Sequence, residues 1–430
     1  MTNSDDGTQP IDVDSASLRA KLLDALRLEL ERGADSLSYT LPNDSYRHFS
    51  CPSSIEFMLD NIPELRKYDG MLFNGINTKS MMHRRSCGEA LVARALDAGP
   101  EQAVTDLYSF LQSDHVEHIE VLLLEGVQVD EPVELVPGVF VCRPDDVPSS
   151  TSRGYLSSLR EPPLRFFNPQ SLENLVQKLE PKAALYRFVT PRPMFITAES
   201  LQTAPSKVSD SEFDDAVLLQ RIGWLLTVMG PSSPIIHRNF TEMVDGSFMK
   251  GRLGGGWMSP LSTNLHRPPV VTLALEQLVE FRSVVEAYLS LSREKRLKLD
   301  VPIQRLNRTV GNMNPVDKAI DLGIALESLL LEEQNAPQLS YQLALRGAWL
   351  LGSSIEERRS LMKKLKQLYK YRSGAAHYGR IVSSHAKTSE WERAATAIKE
   401  GEAICASAIK AVILAGGVDW DELVLAGPQT

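Results

Sequence analysis

A chain of 430 residues is too long for one typical domain, so two or three are expected. Its 43% hydrophobic content supports true cores, and a net charge of −9 excludes a uniformly basic nucleic-acid coat while leaving room for a local basic patch. Four scattered cysteines (Cys51, Cys87, Cys142 and Cys405) form no Cys-x-x-Cys pair, so neither a structural zinc site nor a disulfide framework is expected and reduced, cytoplasmic thiols are the simpler reading.

Residues 1–15 are polar and acidic and read as a disordered tail, with no basic stretch before an apolar run to act as a secretory signal. No run of about 18 apolar residues suggests a membrane span. Leu18, Leu22, Leu23, Leu26 and Leu30 form a helical stripe; residues 40–80 look irregular; residues 86–98 read as a helix broken by Gly99-Pro100, with a shorter helix behind it. A β-rich block follows: Ile119–Leu124, Val127–Val129, Val133–Leu135, a Pro137-Gly138 turn, Val139–Cys142, then Leu185–Ile196 beyond a Pro/Ser loop at 144–163. Residues 212–229 read as a helix. Gly254-Gly255-Gly256, which lacks the Gly-Lys-Ser/Thr of a phosphate loop, reads as a hinge, and Pro268-Pro269 closes the boundary.

From 271 onward the period is helical: a long helix through Leu289, then 316–333, 338–352, 355–373 and 389–414, about five helices in a bundle. The expected fold is therefore an α+β N-terminal region followed by an all-α helical bundle. Its domains run 16–265, mixed α/β and without an assigned role, and 266–430.

Between Ile355 and Arg393 ten Lys/Arg stand against four Asp/Glu, a local +6 in an acidic chain. Lys363, Lys364, Lys366 and Lys370 precede Arg372, and such a stripe favours a polyphosphate backbone, although a solvated helix face explains the lysines equally simply. Tyr371 and Tyr378 flank Arg372 and His377 and could stack on unpaired bases. An arginine can fork onto a phosphate and a histidine can move protons near neutral pH, so this pair has the chemistry to cleave RNA without metal or cofactor. On one continuous helix, however, residues five apart point about 140° apart. Gly374 is expected to end the helix and let His377 turn back beside Arg372.

Two charges sit on apolar stripes: Glu327 with Ile320, Ile324 and Leu331, and Arg346 with Leu339, Leu343 and Leu350. Neither should be buried alone, so Glu327 is expected to pair with Arg346, Arg372 or both. Elsewhere, Asp114, His115 and His118 read as a surface helix end, His83-Arg84-Arg85 as a surface cluster, and Asp419, Asp421 and Glu422 as a solvated tail.

Residues 316–379 resemble the Apea-like branch of the HEPN superfamily. The resemblance is carried by Ala325-Leu326-Glu327-Ser328-Leu329-Leu330, Leu343-Ala344-Leu345-Arg346, Leu368-Tyr369-Lys370-Tyr371-Arg372-Ser373 and His377-Tyr378-Gly379. It implies a HEPN-like bundle that dimerises, with two Arg-x4–6-His elements meeting across the interface. It also implies a metal-independent endoribonuclease, in a toxin or antiviral-defence setting, with RNA as substrate. Arg372 and His377 match the catalytic pair and Ser373 the polar residue after the arginine; Glu327, Arg346 and Tyr378 support them. Gly379 stands where some members carry a modifiable tyrosine. An antitoxin or trigger partner is implied, and residues 16–265 would sense that trigger or position the target. The alternatives are a non-catalytic module that binds RNA or a protein, and a regulator that binds a small nucleotide through Arg372.

Overall fold

The computed structural model describes residues 15–40, 47–66, 71–74, 79–81, 84–113, 117–148, 181–189, 195–197, 217–244, 247–249, 254–258, 269–331 and 338–425. The expected tail, most of the 144–163 loop, His83, Asp114 and His115 lie outside them. The protein is α+β, with an antiparallel sheet and a helical C-terminal region.

Helices α1 (Ser15–Gly33), α2 (Ser53–Asp60), α3 (Pro63–Arg66), α4 (Arg84–Ala98) and α5 (Pro100–Gln112) lead the chain. The stripe read in α1 buries Leu22 and Leu26 against Ile55, Leu59, Leu91 and Leu107, a core separate from the main one. The stretch that looked irregular holds α2 and α3 together with short strands β1 (Ser38–Thr40), β2 (Arg47–Phe49), β3 (Met71–Asn74) and β4 (Lys79–Met81).

The main sheet has six strands in the order β12-β11-β5-β9-β8-β7. Its members are β5 (His118–Glu125), β7 (Val133–Val136), β8 (Val139–Cys142), β9 (Ala183–Val189), β11 (Ile235–Met243) and β12 (Gly254–Met258). Every residue of β5 is buried, because Leu122 and Leu124 enter the main core while Ile119, Val121 and Leu123 enter a smaller one on the other face. β6 (Val127–Val129) leaves this sheet to pair in parallel with β13 (Val271–Leu273). The run read as one strand from Leu185 to Ile196 serves two sheets: β9 here, and β10 (Phe195–Thr197) beside β3. The triple glycine is not a hinge. It forms edge strand β12, paired with Phe240, Thr241 and Glu242 of β11. His118 is fully buried at the start of β5, not on a surface helix end.

The helix expected at 212–229 appears as α6 (Leu218–Leu225), extended by a 3-10 turn at Leu226–Val228. The C-terminal region then holds α7 (Leu275–Ser290), α8 (Arg293–Gly311), α9 (Pro315–Leu330), α10 (Leu339–Leu351), α11 (Ile355–Tyr378), α12 (Thr388–Leu414) and α13 (Trp420–Leu425). Two of these were not expected. α8 carries an interior proline, Pro302, and many charges, but buries Leu299, Ile303 and Leu306. α13 replaces the expected solvated tail: Asp419 accepts the Asp421 and Glu422 backbone N–H groups at 3.0 and 2.9 Å, and Trp420 is buried.

Local chemistry sets the ends. Asn314 accepts the Val316 N–H at 3.0 Å, with Pro315 in the first turn of α9. Ser354 and Glu357 form a capping box at the start of α11. α8 packs on α9, α10 on α11, and α9 on both α11 and α12. One hydrophobic core runs from β5 and β9 through α6 into these helices, so it crosses the 265/266 division drawn on composition.

Candidate functional site

α11 does not end at Gly374. It continues to Tyr378 and closes at Gly379, whose φ of 63° is the left-handed conformation in which glycine is unstrained. Gly374 has another use. A Cβ there would stand 2.9 Å from the Arg380 carbonyl oxygen, so the glycine admits the returning loop against the helix. Ile381, buried in the main core, pins that loop.

The consequence for the Arg-His pair is direct. Taken at about 100° per residue, Lys363, Lys370, Gly374 and His377 share a sector of about 60°, while Arg372 points about 180° from Lys363 and about 140° from His377. One chain therefore does not bring Arg372 and His377 together.

Arg372 faces inward onto α9. Gly323 makes room: a Cβ there would lie 2.1 Å from the Arg372 Cγ. The Arg372 stem thus crosses α9 in direct contact with its backbone, and Nη2 donates to Glu327 Oε2 at 3.0 Å. The ion pair expected for Glu327 forms with Arg372. Arg346 instead donates from Nη1 to the Leu330 carbonyl at 2.8 Å and lies 5.5 Å from the Trp420 ring centre, closing the C-terminus of α9. Glu327 Oε1 and Arg372 Nε are buried with no hydrogen bond, so the pair is held by the single Nη2–Oε2 contact.

The opposite face of α11 is basic and concave. A groove of about 1110 Å³ is lined by Lys363, Lys366, Lys370, Ser373, Tyr378 and the returning loop, with Arg380 on that loop and Arg393 on α12. A second depression of about 470 Å³ adds Arg359 and shares Lys363, Lys366 and Gln367. Lys366 also sits 5.1 Å from the Tyr341 ring centre. Lys364 lies off this face and pairs with Glu400 at 3.3 Å. Tyr371 touches the groove but is largely buried in the core, whereas Tyr378 is 74% exposed. His377 is exposed, with its ring 6.3 Å from that of Tyr378. Arg380 and Arg393 were missed among the site residues. The net count of basic residues included them, but only the folding of the 380–387 loop and α12 brings them to α11.

Burial pushes the thiols of Cys51, Cys87 and Cys142 up to about 12, and that of Cys405 up as well, so these four are poor nucleophiles near neutrality. Among the described residues, no three His, Cys, Asp or Glu side chains are placed to share a metal ion, and no helix is long and apolar enough to cross a membrane. Comparison with protein-family models, curated proteins and solved structures gives no match to this chain.

Proposed function

We propose that the helical C-terminal region is a HEPN-type, metal-independent endoribonuclease that acts as a homodimer in the cytoplasm, in a toxin or antiviral-defence setting under control of a partner or trigger. The observation that carries the reading is the Glu327–Arg372 pair at 3.0 Å, which holds a guanidinium that stays 25% exposed between α9 and α11. His377 stands exposed near a basic groove on the other side of the same helix. Because the two groups diverge within one chain, the reaction requires a second copy to complete each site.

In that dimer His377 of one subunit takes the ribose 2′-OH proton. The 2′-oxygen attacks the adjacent phosphorus and the bond from phosphorus to the 5′-oxygen breaks. The second subunit's copy of the same histidine protonates the leaving oxygen, giving a 2′,3′-cyclic phosphate and a 5′-OH end. Arg372 stabilises charge on the equatorial phosphate oxygens, and Glu327 orients it. Ser373 and Tyr378 border the site.

The test is cleavage of a labelled single-stranded RNA in the presence of chelator. Wild type is expected to cut, and Arg372→Ala and His377→Ala to lose on the order of 10²–10⁴-fold in rate. A 2′-deoxy substitution at the cut position should block the reaction. Full activity in His377→Ala, or chelator-sensitive cleavage, overturns the scheme.

A second reading is favoured by the engagement of Arg372 with Glu327: a non-catalytic module in which the pair fixes helix register. It predicts RNA binding without cleavage at any protein concentration.

A further inference from the structure

We infer that the solvent face of α11 is a track for single-stranded RNA, with phosphates on Lys363, Lys366, Lys370, Arg380 and Arg393 and one base stacked on Tyr378. The inference rests on RNA being the ligand of this region, but not on the chain cutting it.

Charge is the first argument. Several cations of the helical region are paired with carboxylates, among them Arg305 with Asp321, Lys318 with Glu402, Lys364 with Glu400 and Arg372 with Glu327. Lys363, Lys370 and Arg380 have no carboxylate within ion-pair distance among the described residues, and they meet at one groove. The one acid lining it, Glu390, already accepts the Lys387 backbone N–H at 3.0 Å. A surface with this excess of positive charge attracts a polyanion.

Shape is the second. The two depressions join through Lys363, Lys366 and Gln367, and the helix from Arg359 to Tyr378 is about 28 Å long at 1.5 Å per residue. That length accommodates several nucleotides in line. Arg380 and Arg393 flank its C-terminal end from two different elements, a loop and α12, so a strand there is gripped from two sides.

Tyr378 separates single strand from duplex. The residue is 74% exposed and lines the same groove as these arginines. An exposed aromatic ring stacks on a base that has left its own stack, which paired bases in a duplex have not done. An acidic peptide would meet the cations but has no base for the ring.

The experiment is fluorescence anisotropy with a single-stranded 2′-O-methyl RNA, which binds but has no free 2′-OH to attack. Arg380→Glu/Arg393→Glu is expected to raise Kd at least ~10-fold and to reduce the slope of log K against log salt by about 1.4, for two lost phosphate contacts. Tyr378→Ala should raise Kd by about 5-fold or more. Lys21→Glu/Lys298→Glu, with the same charge change on exposed sites elsewhere, should leave Kd unchanged within about twofold. Thermal melts check that each variant is folded.

The inference is overturned if the groove variants bind like the parent, if the annealed duplex or poly-glutamate binds as tightly, or if the parent does not bind. The two readings fail separately. Groove-dependent binding with no cleavage of ordinary RNA keeps the track and removes the nuclease. Cleavage with KM unchanged in Arg380→Glu/Arg393→Glu keeps the nuclease and removes the track.

Discussion

Two carboxylate–guanidinium pairs occupy contrasting surroundings. In the sheet, Arg187 donates to Glu120 across β9 and β5 at 2.7 Å, with side chains only 8% and 1% exposed. Between helices, Arg372 donates to Glu327 at 3.0 Å, with side chains 25% and 22% exposed. A fully buried pair is bound to its partner by desolvation, since neither charge can stand alone in the core. A pair that keeps part of its area in water is less constrained, because solvent weakens the mutual attraction. The first belongs to the sheet's register; the second is the pair proposed above to serve a reaction.

Mutations should separate the two. The largest effect is expected from Arg187→Met, which removes the 2.7 Å contact to the buried Glu120 carboxylate; a loss of about 3–5 kcal/mol should appear in urea unfolding. A change below about 1 kcal/mol would show that water reaches this pair, and the contrast would collapse.

Gly323→Ala comes next. The new methyl collides with the Arg372 stem, an overpacking cost of about 1–3 kcal/mol, partly offset by the roughly 1 kcal/mol that alanine gains over glycine in a helix. Arg372→Ala in the same background should restore stability, so a double-mutant cycle reads the contact directly. Additive changes would place the side chain off α9.

Glu327→Gln should cost less than about 1 kcal/mol in stability, yet lower RNA cleavage by about tenfold or more through loss of a charge-assisted contact. Unfolding midpoint and cleavage rate measured side by side decide whether this pair serves the fold or the reaction.

The smallest effect concerns pH. Burial raises the Glu402 carboxyl above its ordinary 4.5, against the opposing pull of the Lys318 hydrogen bond. The folded state then holds its proton to higher pH than the unfolded chain. Stability from this group is greatest below the ordinary value and falls as pH rises through the raised one. Glu402→Gln should flatten that part of the melting-temperature profile; an unchanged slope would show that the group does not contribute.

Only the helical side of this contrast was legible in advance. Glu327 on an apolar stripe required a cation, and the cation proved to be Arg372. The β5 run and the α9–α12 periods also matched their elements. What escaped depended on tertiary context. β11 buries the polar residues Asn239, Thr241 and Glu242, so its alternation does not look like a strand. The Leu299, Ile303 and Leu306 spacing of α8 was a usable signal, masked by charge and by Pro302. At Gly374 the expectation was wrong in kind: a glycine in a helix reads as a break when local preference is weighed, but here the missing side chain serves a neighbouring backbone.

That contact has a mechanical consequence. Because the Arg380 carbonyl rests on Gly374 and Ile381 is sunk in the core, Arg380 is fastened to the end of α11, whereas Arg393 stands on α12. The two arginines are thus anchored on the two longest helices of the described chain, and both line the groove. An RNA strand seated there, as inferred above, would tie the helices together, and the first turns of α12 should then exchange their amide hydrogens more slowly.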